Sequence, residues 1–263
     1  MLQKFCITLL ILITLGLSNP SSAATLPLNT GYDYSNWNTY PATTPDNYWI
    51  RIASYPTMAV GPSWAVLNTS AGAPWIAPMP GPTGIPSMWI NAFGNTAAGP
   101  NASVLDPKYA IYRKCFCLPA AFTQPKIQGS VRNDDSIQIW FNSQLNTVLS
   151  PSPLNMNTVV IGAPYTINYT DQTKFRIGRN CLYVLVEDTG GHTGFDLAAN
   201  LTVNTAIPPM IATGPNMSFG NCTCGQGVPV AAMKKMETED DEVIAQIVKF
   251  AEERRLKRTK NEK

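Results

Sequence analysis

The sequence predicts an all-β, antiparallel β-sandwich with a short charged C-terminal helix, and three observations lead there. In residues 133–143 an acidic turn launches a strand with Ile137, Ile139 and Phe141 on one face and Gln138 and Trp140 on the other. Period-two alternation of this kind marks a sheet with one buried face. Between residues 109 and 203, strand-like runs recur at near-regular spacing, separated by Gly and Asn turns, as in sandwiches. Residues 29–107 show no helical period of useful length.

The chain opens on a secretion leader. Lys4 and the amino terminus supply positive charge, Ile7 to Leu17 is apolar, and Ser22-Ala23-Ala24 offers small residues for cleavage. That apolar run is shorter than the roughly 20 residues a membrane span needs. Cys6 lies inside the leader with no small-residue lipidation site before it. The expected order is a signal peptide at 1–24, a sandwich at 25–204, a Pro/Gly/Cys-rich linker at 205–232, and a charged helical tail at 233–263. The expected localisation is secreted: extracellular, periplasmic or at the cell surface.

Charge is segregated. Residues 25–232 hold nine Lys/Arg and nine Asp/Glu, whereas 233–263 hold nine basic and eight acidic groups. The main body is therefore nearly uncharged, with Asn, Thr, Ser and Gln for a surface. It has no counterion-release term for nucleic acid and no polybasic attraction to anionic lipid, so nucleic acid is not an expected partner. Such a surface suits a neutral one.

Short strands are expected at Tyr48-Trp49-Ile50-Arg51-Ile52, Ser63-Trp64-Ala65-Val66-Leu67 and Met88-Trp89-Ile90. Pro74, Pro78, Pro80, Pro82 and Pro86 mark an extended ordered loop between them. Trp49, Trp64, Trp75 and Trp89 read as core or rim packing. Residues 109–118 form a strand with Tyr112, Phe116 and Leu118 on the buried face and Arg113, Cys115 and Cys117 on the other. Lys114 falls on the buried side, so it is expected to snorkel past the sheet end or to mark a bulge that shifts the parity.

A short strand at 126–131, the strand after Asp134 and a pair of short runs at 157–168 follow. Cys181 to Glu187 then places Leu182, Val184 and Val186 inward. Beyond the glycine-rich turn at 190–194, Leu197, Ala199, Leu201 and Val203 alternate as a closing strand. Residues 205–215 read as linker, and 216–227 carry the last two cysteines on an edge strand. In the tail, Thr238 caps a helix with Asp241 at capping-box spacing. Acidic residues fill the first turn and Arg254, Arg255, Lys257 and Arg258 the last, matching the helix dipole. Val243, Ile244, Ile247, Val248 and Ala251 give the helix a modest apolar face. It is either a solvated helix or a docking segment for a protein partner.

Five cysteines lie beyond the leader: Cys115, Cys117, Cys181, Cys222 and Cys224. An exported chain meets an oxidising compartment, where disulfides are the default. Cys115 and Cys117 point the same way on one strand and are poorly placed to bond each other. Their one-residue spacing also departs from the two to four residues of structural zinc sites.

Catalytic vocabulary is sparse, and an enzyme is not expected. His192 is the only histidine; it would donate to a ligand hydroxyl or stand as an exposed turn residue. No Gly-x-Ser-x-Gly elbow or phosphate-cradling glycine loop occurs. A glycosidase needs only two carboxylates, yet no sequence feature places two of them across a cleft. Trp140 points to the outer face beside Gln138. There it either stacks on a sugar, whose hydroxyls Gln138 would bond, or is covered by a loop from the Pro-rich N-terminal half. Asp134 and Asp135 could ligate calcium through oxygen or form an acidic turn closed by capping hydrogen bonds. No other cofactor is expected.

One ordered set of motifs carries a resemblance. Tyr112-Arg113-Lys114-Cys115-Phe116-Cys117-Leu118-Pro119 is followed by Gly129 and the Asp134-Asp135 turn. Ile139-Trp140-Phe141-Asn142, Gly178-Arg179-Asn180-Cys181-Leu182 and the turn from Gly190 to Gly194 come next. Asn47-Tyr48-Trp49 and Pro74-Trp75-Ile76 precede the block. This order resembles the galactose-binding-domain-like jelly roll of secreted bacterial surface proteins and of sugar-binding domains attached to glycoside hydrolases. Asn142-Ser143 stands where those domains usually have Asn-Gly, and their framework does not generally carry the cysteines.

The resemblance implies a jelly-roll sandwich, a glycan or cell-surface component as partner, and ligand contacts on variable loops. It also implies that the strands at 109–118 and 181–187 share a sheet. Cys181 would then bond Cys115 or Cys117, with the remaining one reaching Cys222 or Cys224.

Overall fold

A computed structural model describes residues 22–41, 44–55, 61–66, 79–81, 84–91, 108–142, 144–148, 164–190, 193–211 and 230–261. Its architecture is an antiparallel β-sandwich followed by a helix, α1 (Val230–Asn261). One layer is built from β4 (Pro45–Tyr55), β7 (Lys108–Leu118), β9 (Ser136–Phe141), β10 (Gln144–Val148) and β12 (Gly178–Asp188). Their order is β10-β9-β12-β7-β4. The other layer has β8 (Thr123–Asp134) between β11 (Tyr165–Tyr169) and β13 (Gly194–Thr205), and β1 (Ser22–Pro27) pairs with β13.

Short strands β5 (Gly61–Val66) and β6 (Trp89–Asn91) carry the hydrogen-bonded path from β4 to β13, so both layers belong to one curled sheet. A separate small hairpin joins β2 (Tyr32–Asp33) to β3 (Asn38–Thr39).

Side-chain parity does most of the work in this fold. Tyr112, Phe116 and Leu118 of β7, Ile137, Ile139 and Phe141 of β9, and Leu182, Val184 and Val186 of β12 share one interior with Ile127, Val131, Leu197, Ala199, Leu201 and Val203 of the opposite layer. Every one is at most 1% exposed. Burying a side chain of this size contributes about 1.5–3 kcal/mol. Tyr112 meets Phe195 edge-on across the layers, ring centroids 4.9 Å apart, and Trp49 meets the same ring at 5.3 Å. Trp49 and Trp89 are core residues, as expected. The side chain of Trp64, and Trp75 altogether, lie outside the described residues.

The odd faces of β7 and β12 bring Cys115 directly opposite Cys181, with Cα atoms 4.1 Å apart, and a disulfide joins them. Cys117 is also disulfide-bonded. Cys222 and Cys224 lie outside the described residues.

Two expectations need correction, the placement of Lys114 and the start of the tail helix, and two further segments gain strand pairing. Lys114 neither snorkels nor follows a bulge: β7 pairs with β12 without a register shift, and Lys114 is fully buried. Ser22–Ala24, assigned to the leader, are already strand, paired with β13 from Val203 to Thr205. The linker expected from residue 205 holds β14 (Met210–Ile211), which pairs with Cys117 and Phe116 of β7. Helix α1 begins at Val230, so Thr238 lies inside it and not at its N-terminus; its first turn has no acidic residue, although Arg258 and Lys260 do occupy the last. The Ala231-Ala232-Met233-Lys234 run consists of strong helix formers, which accounts for the earlier start.

Candidate functional site

Among the described residues three places gather polar or aromatic chemistry. The first is the outer face of the β9-β12-β7-β4 layer. Trp140 does point there, together with Tyr109, Ile111, Cys115, Cys181, Tyr183 and Leu185. That face is closed, though. Val243, Ile247 and Ala251 of α1 pack onto it, and Phe250 meets Trp140 edge-on at 5.8 Å.

Trp140 is consequently 4% exposed, with the C-terminal helix lying over it. Gln138, two residues before it, is half-buried. Polar contacts fix the helix at this face. Glu187 takes the guanidinium groups of Arg254 and Arg258 at 2.7 and 3.3 Å, Tyr109 donates to Glu252 at 2.8 Å, and Arg255 lies over the Tyr55 ring at 4.1 Å. The apolar stripe of the tail is thus spent within the chain.

The second place is the acidic corner where β8 turns into β9. A cis peptide joins Asp134 to Asp135. Asp135 accepts from the backbone and hydroxyl of Thr189 at 2.6 and 2.5 Å, Asp188 accepts from Gly190 N at 2.8 Å, and Asn133 donates to the Asp135 carbonyl at 2.8 Å. Burial first, then the hydrogen bond to Asp135 and the charges of Asp135 and Asp188, pushes the Asp134 carboxyl up to about 8. Burial similarly lifts Asp188 to about 7. Asp134 therefore resists ionisation more than an ordinary carboxyl. Among the described residues, no group of three or more His, Cys, Asp or Glu side chains is arranged to hold a metal ion. His192 lies outside the described residues, so the structure does not bring it to this corner or away from it.

The third place escaped the sequence reading. Hairpin β2–β3 carries Trp37 at its tip, 65% exposed, the most exposed large apolar side chain among the described residues. Its φ is +58°, in the left-handed region. Asn tolerates that region, whereas a bulky side chain there is an outlier that the surroundings must hold in place. Asn36 and Asn38 flank it on either side. Instead of taking the strained position, Asn36 accepts Asn38 N at 3.1 Å, and Asp33 accepts both Ser35 N at 2.9 Å and its hydroxyl at 2.6 Å. The turn chemistry of the loop thus presents an indole ringed by exposed Ser35, Asn36 and Asn38.

Below the tip, the hairpin stands on a column of tyrosines. Tyr34 meets Tyr32 edge-on at 4.8 Å and Tyr48 at 4.7 Å, and Tyr40 stacks on Tyr48 at 6.4 Å. The chain enters through Gly31, whose φ is +61° and whose missing Cβ would sit 2.5 Å from Met88 Cβ. Only glycine fits both demands.

Buried Asp46 closes the base, accepting Gly31 N at 2.7 Å, Tyr48 N at 2.8 Å and Trp49 N at 3.1 Å. Lys114 completes it, donating to the Asn29 carbonyl at 3.2 Å and to Tyr34 Oη at 2.6 Å. Burial lowers the lysine to about 7, opposed by the charge of Asp46, and burial raises the Asp46 carboxyl.

The sequence did hold a signal for Trp37. It is a lone aromatic inside Ser-Asn-Trp-Asn, with no period-two apolar partner to bury it with. No protein-family model matches the chain, and no curated protein matches it either.

Proposed function

We propose that this protein is a secreted, non-catalytic β-sandwich that binds carbohydrate or another neutral extracellular component through the Trp37 hairpin. One observation carries the reading: an indole, 65% exposed and in a left-handed backbone conformation, stands on a hairpin braced from the core. Ring faces of this kind pack against the C–H face of a sugar, while amides and hydroxyls take its hydroxyl groups. Ser35, Asn36 and Asn38 supply those groups. The near-neutral charge of the sandwich supports an uncharged ligand over a phosphate or nucleic acid. The Cys115–Cys181 disulfide suits an oxidising compartment. Trp140, under its helix, takes no part in this reading.

A glycan array followed by calorimetric titration tests it, with wild type and Trp37→Ala side by side. Expected is binding of at least one neutral glycan by wild type, weakened on the order of tenfold or more in the variant, as for an aromatic anchor. A wild-type protein that binds nothing on the array, or a variant that binds equally well, overturns the reading.

A further inference from the structure

Lys114 occupies a position that parity gives to the sandwich interior, between Tyr112 and Phe116 on the same face. An aliphatic side chain there would add to the core at no cost. A buried ammonium instead must find partners for its charge and its three donors. Those partners converge on one object. The two hydrogen-bond acceptors are the Asn29 carbonyl and Tyr34 Oη. The rings beside the ammonium are Tyr34 at 4.3 Å and Trp49 at 5.4 Å. Asp46, its charge partner, holds Gly31 and Trp49. Asn29, Gly31 and Tyr34 are the approach, the entry and the first loop residue of the β2–β3 hairpin. Tyr34 in turn donates to the Pro27 carbonyl at 2.6 Å, tying the loop back to β1.

We propose that Lys114 is the positioning residue of the Trp37 hairpin, its ammonium reaching out of β7 to hold Tyr34 and through it the loop that presents the indole. The inference rests on the reading of Trp37 as the binding residue and adds how that residue is regulated. Two strands of two residues cannot hold a loop by their own pairing, so the brace from β7 decides whether the tip is ordered. The groups facing the ammonium are Asp46 and the Trp49 ring from β4 and Tyr34 from the loop; Tyr32, Tyr40 and Tyr48 face Tyr34. Because burial holds Lys114 at about 7, the brace is charged in mild acid and loses its charge just above neutrality.

The test reads the Trp37 indole N–H resonance in the full-length ¹⁵N-labelled protein, assigned by its loss in Trp37→Phe. Wild type, Lys114→Met and Tyr34→Phe are compared from about pH 5.5 to about pH 8.5, a range spanning the shifted lysine. In wild type the resonance is expected to be sharp at the acid end and to shift or broaden with a midpoint near 7. In Lys114→Met it is displaced or broadened at every pH, while the indole of buried Trp89, which is not among the groups facing the ammonium, keeps its position. Tyr34→Phe, which keeps the ring and removes only the hydroxyl, moves it the same way and decides the matter should Lys114→Met not fold. A Trp37 resonance that is pH-independent in wild type and unchanged in both variants overturns the inference. If the resonance behaves as expected but no glycan is bound, the brace stands and the carbohydrate reading falls. If a glycan is bound with equal affinity by wild type and Tyr34→Phe and the resonance is unmoved, the brace falls and the reading stands.

Discussion

Trp140 and Trp37 occupy opposite situations in this molecule. Trp140 sits in the most regular strand pattern of the chain and is 4% exposed; Trp37 sits in a four-residue loop and is 65% exposed. Strand parity correctly sends Trp140 to the outer face, but a face that points away from one core can still be covered by another element. Here α1 covers it, creating a second apolar layer around Trp140, Tyr183 and the Cys115–Cys181 disulfide. The loop has no such cover among the described residues, and the tyrosine column under it spends its area on holding the backbone. A tryptophan on a regular sheet is thus structural here, and one on an irregular hairpin is the candidate for binding.

The sharpest way to break that contrast is to truncate both side chains. Trp140→Ala is expected to cost about 3–5 kcal/mol in urea unfolding, the range for large-to-small changes in a core. Trp37→Ala should stay within about 0.5 kcal/mol, as for an exposed site. Equal losses would mean that the two environments do not differ energetically.

Next in size is the cover itself. Ending the chain before Val230 removes Val243 and Ile247, each contributing roughly 1.5–3 kcal/mol if fully buried, an upper bound. The tryptophan emission should then shift to the red and acrylamide quenching should rise, with Trp140→Phe abolishing the change and Trp37→Phe leaving it in place. Emission that ignores the truncation would show that α1 does not shield Trp140 in solution.

The clamp at the end of that helix sharpens the comparison at smaller scale. Replacing Arg254 and Arg258 with Ala together leaves the nearly buried Glu187 carboxylate with the Ser136 hydroxyl as its remaining side-chain hydrogen-bond donor among those described. Both arginines are partly exposed, so solvent screening reduces the loss to about 1–2 kcal/mol. The same pair of changes in a Glu187→Gln background should cost less, which a double-mutant cycle measures.

A further comparison is one of pH. Asp134 and Asp188 have folded-state values raised to about 8 and about 7. Their protonated forms favour the fold; that contribution is complete below the unfolded carboxyl value, near about 4, and is lost as pH rises through the folded values. Thermal stability should therefore fall between mildly acidic and mildly alkaline buffer, and Asp134→Asn should flatten the decline. Stability that climbs over this range would contradict the burial assigned to the corner.

Much of the fold could be read from the chain because the two-residue period of a strand is covalent geometry. Phe116, Ile139 and Val184 share one interior, and Cys115 and Cys181 share the opposite face, whatever the loops do. Less of the site was readable. The cover on Trp140 comes from residues about 100 positions later in sequence, and no local pattern announces such a contact. Lys114 looked like an error of parity because its partners Asn29, Tyr34 and Asp46 belong to segments read only as turn-rich. Trp37 drew no notice for a similar reason: exposure and a left-handed φ are properties of a folded loop, and its composition gave only a weak hint of them.

By itself, then, the sequence determined which side chains face each other across the sandwich, since alternation along a strand follows from the backbone alone. It also determined the neutral character of the body and the separateness of the charged tail, because composition is additive and needs no contacts. Only the tertiary structure decided which aromatic is buried, where the helix rests and what a lysine does in the core. Those outcomes depend on groups distant in the chain meeting in space, and an exposed face, a covered face and a satisfied charge are defined by what lies across from them.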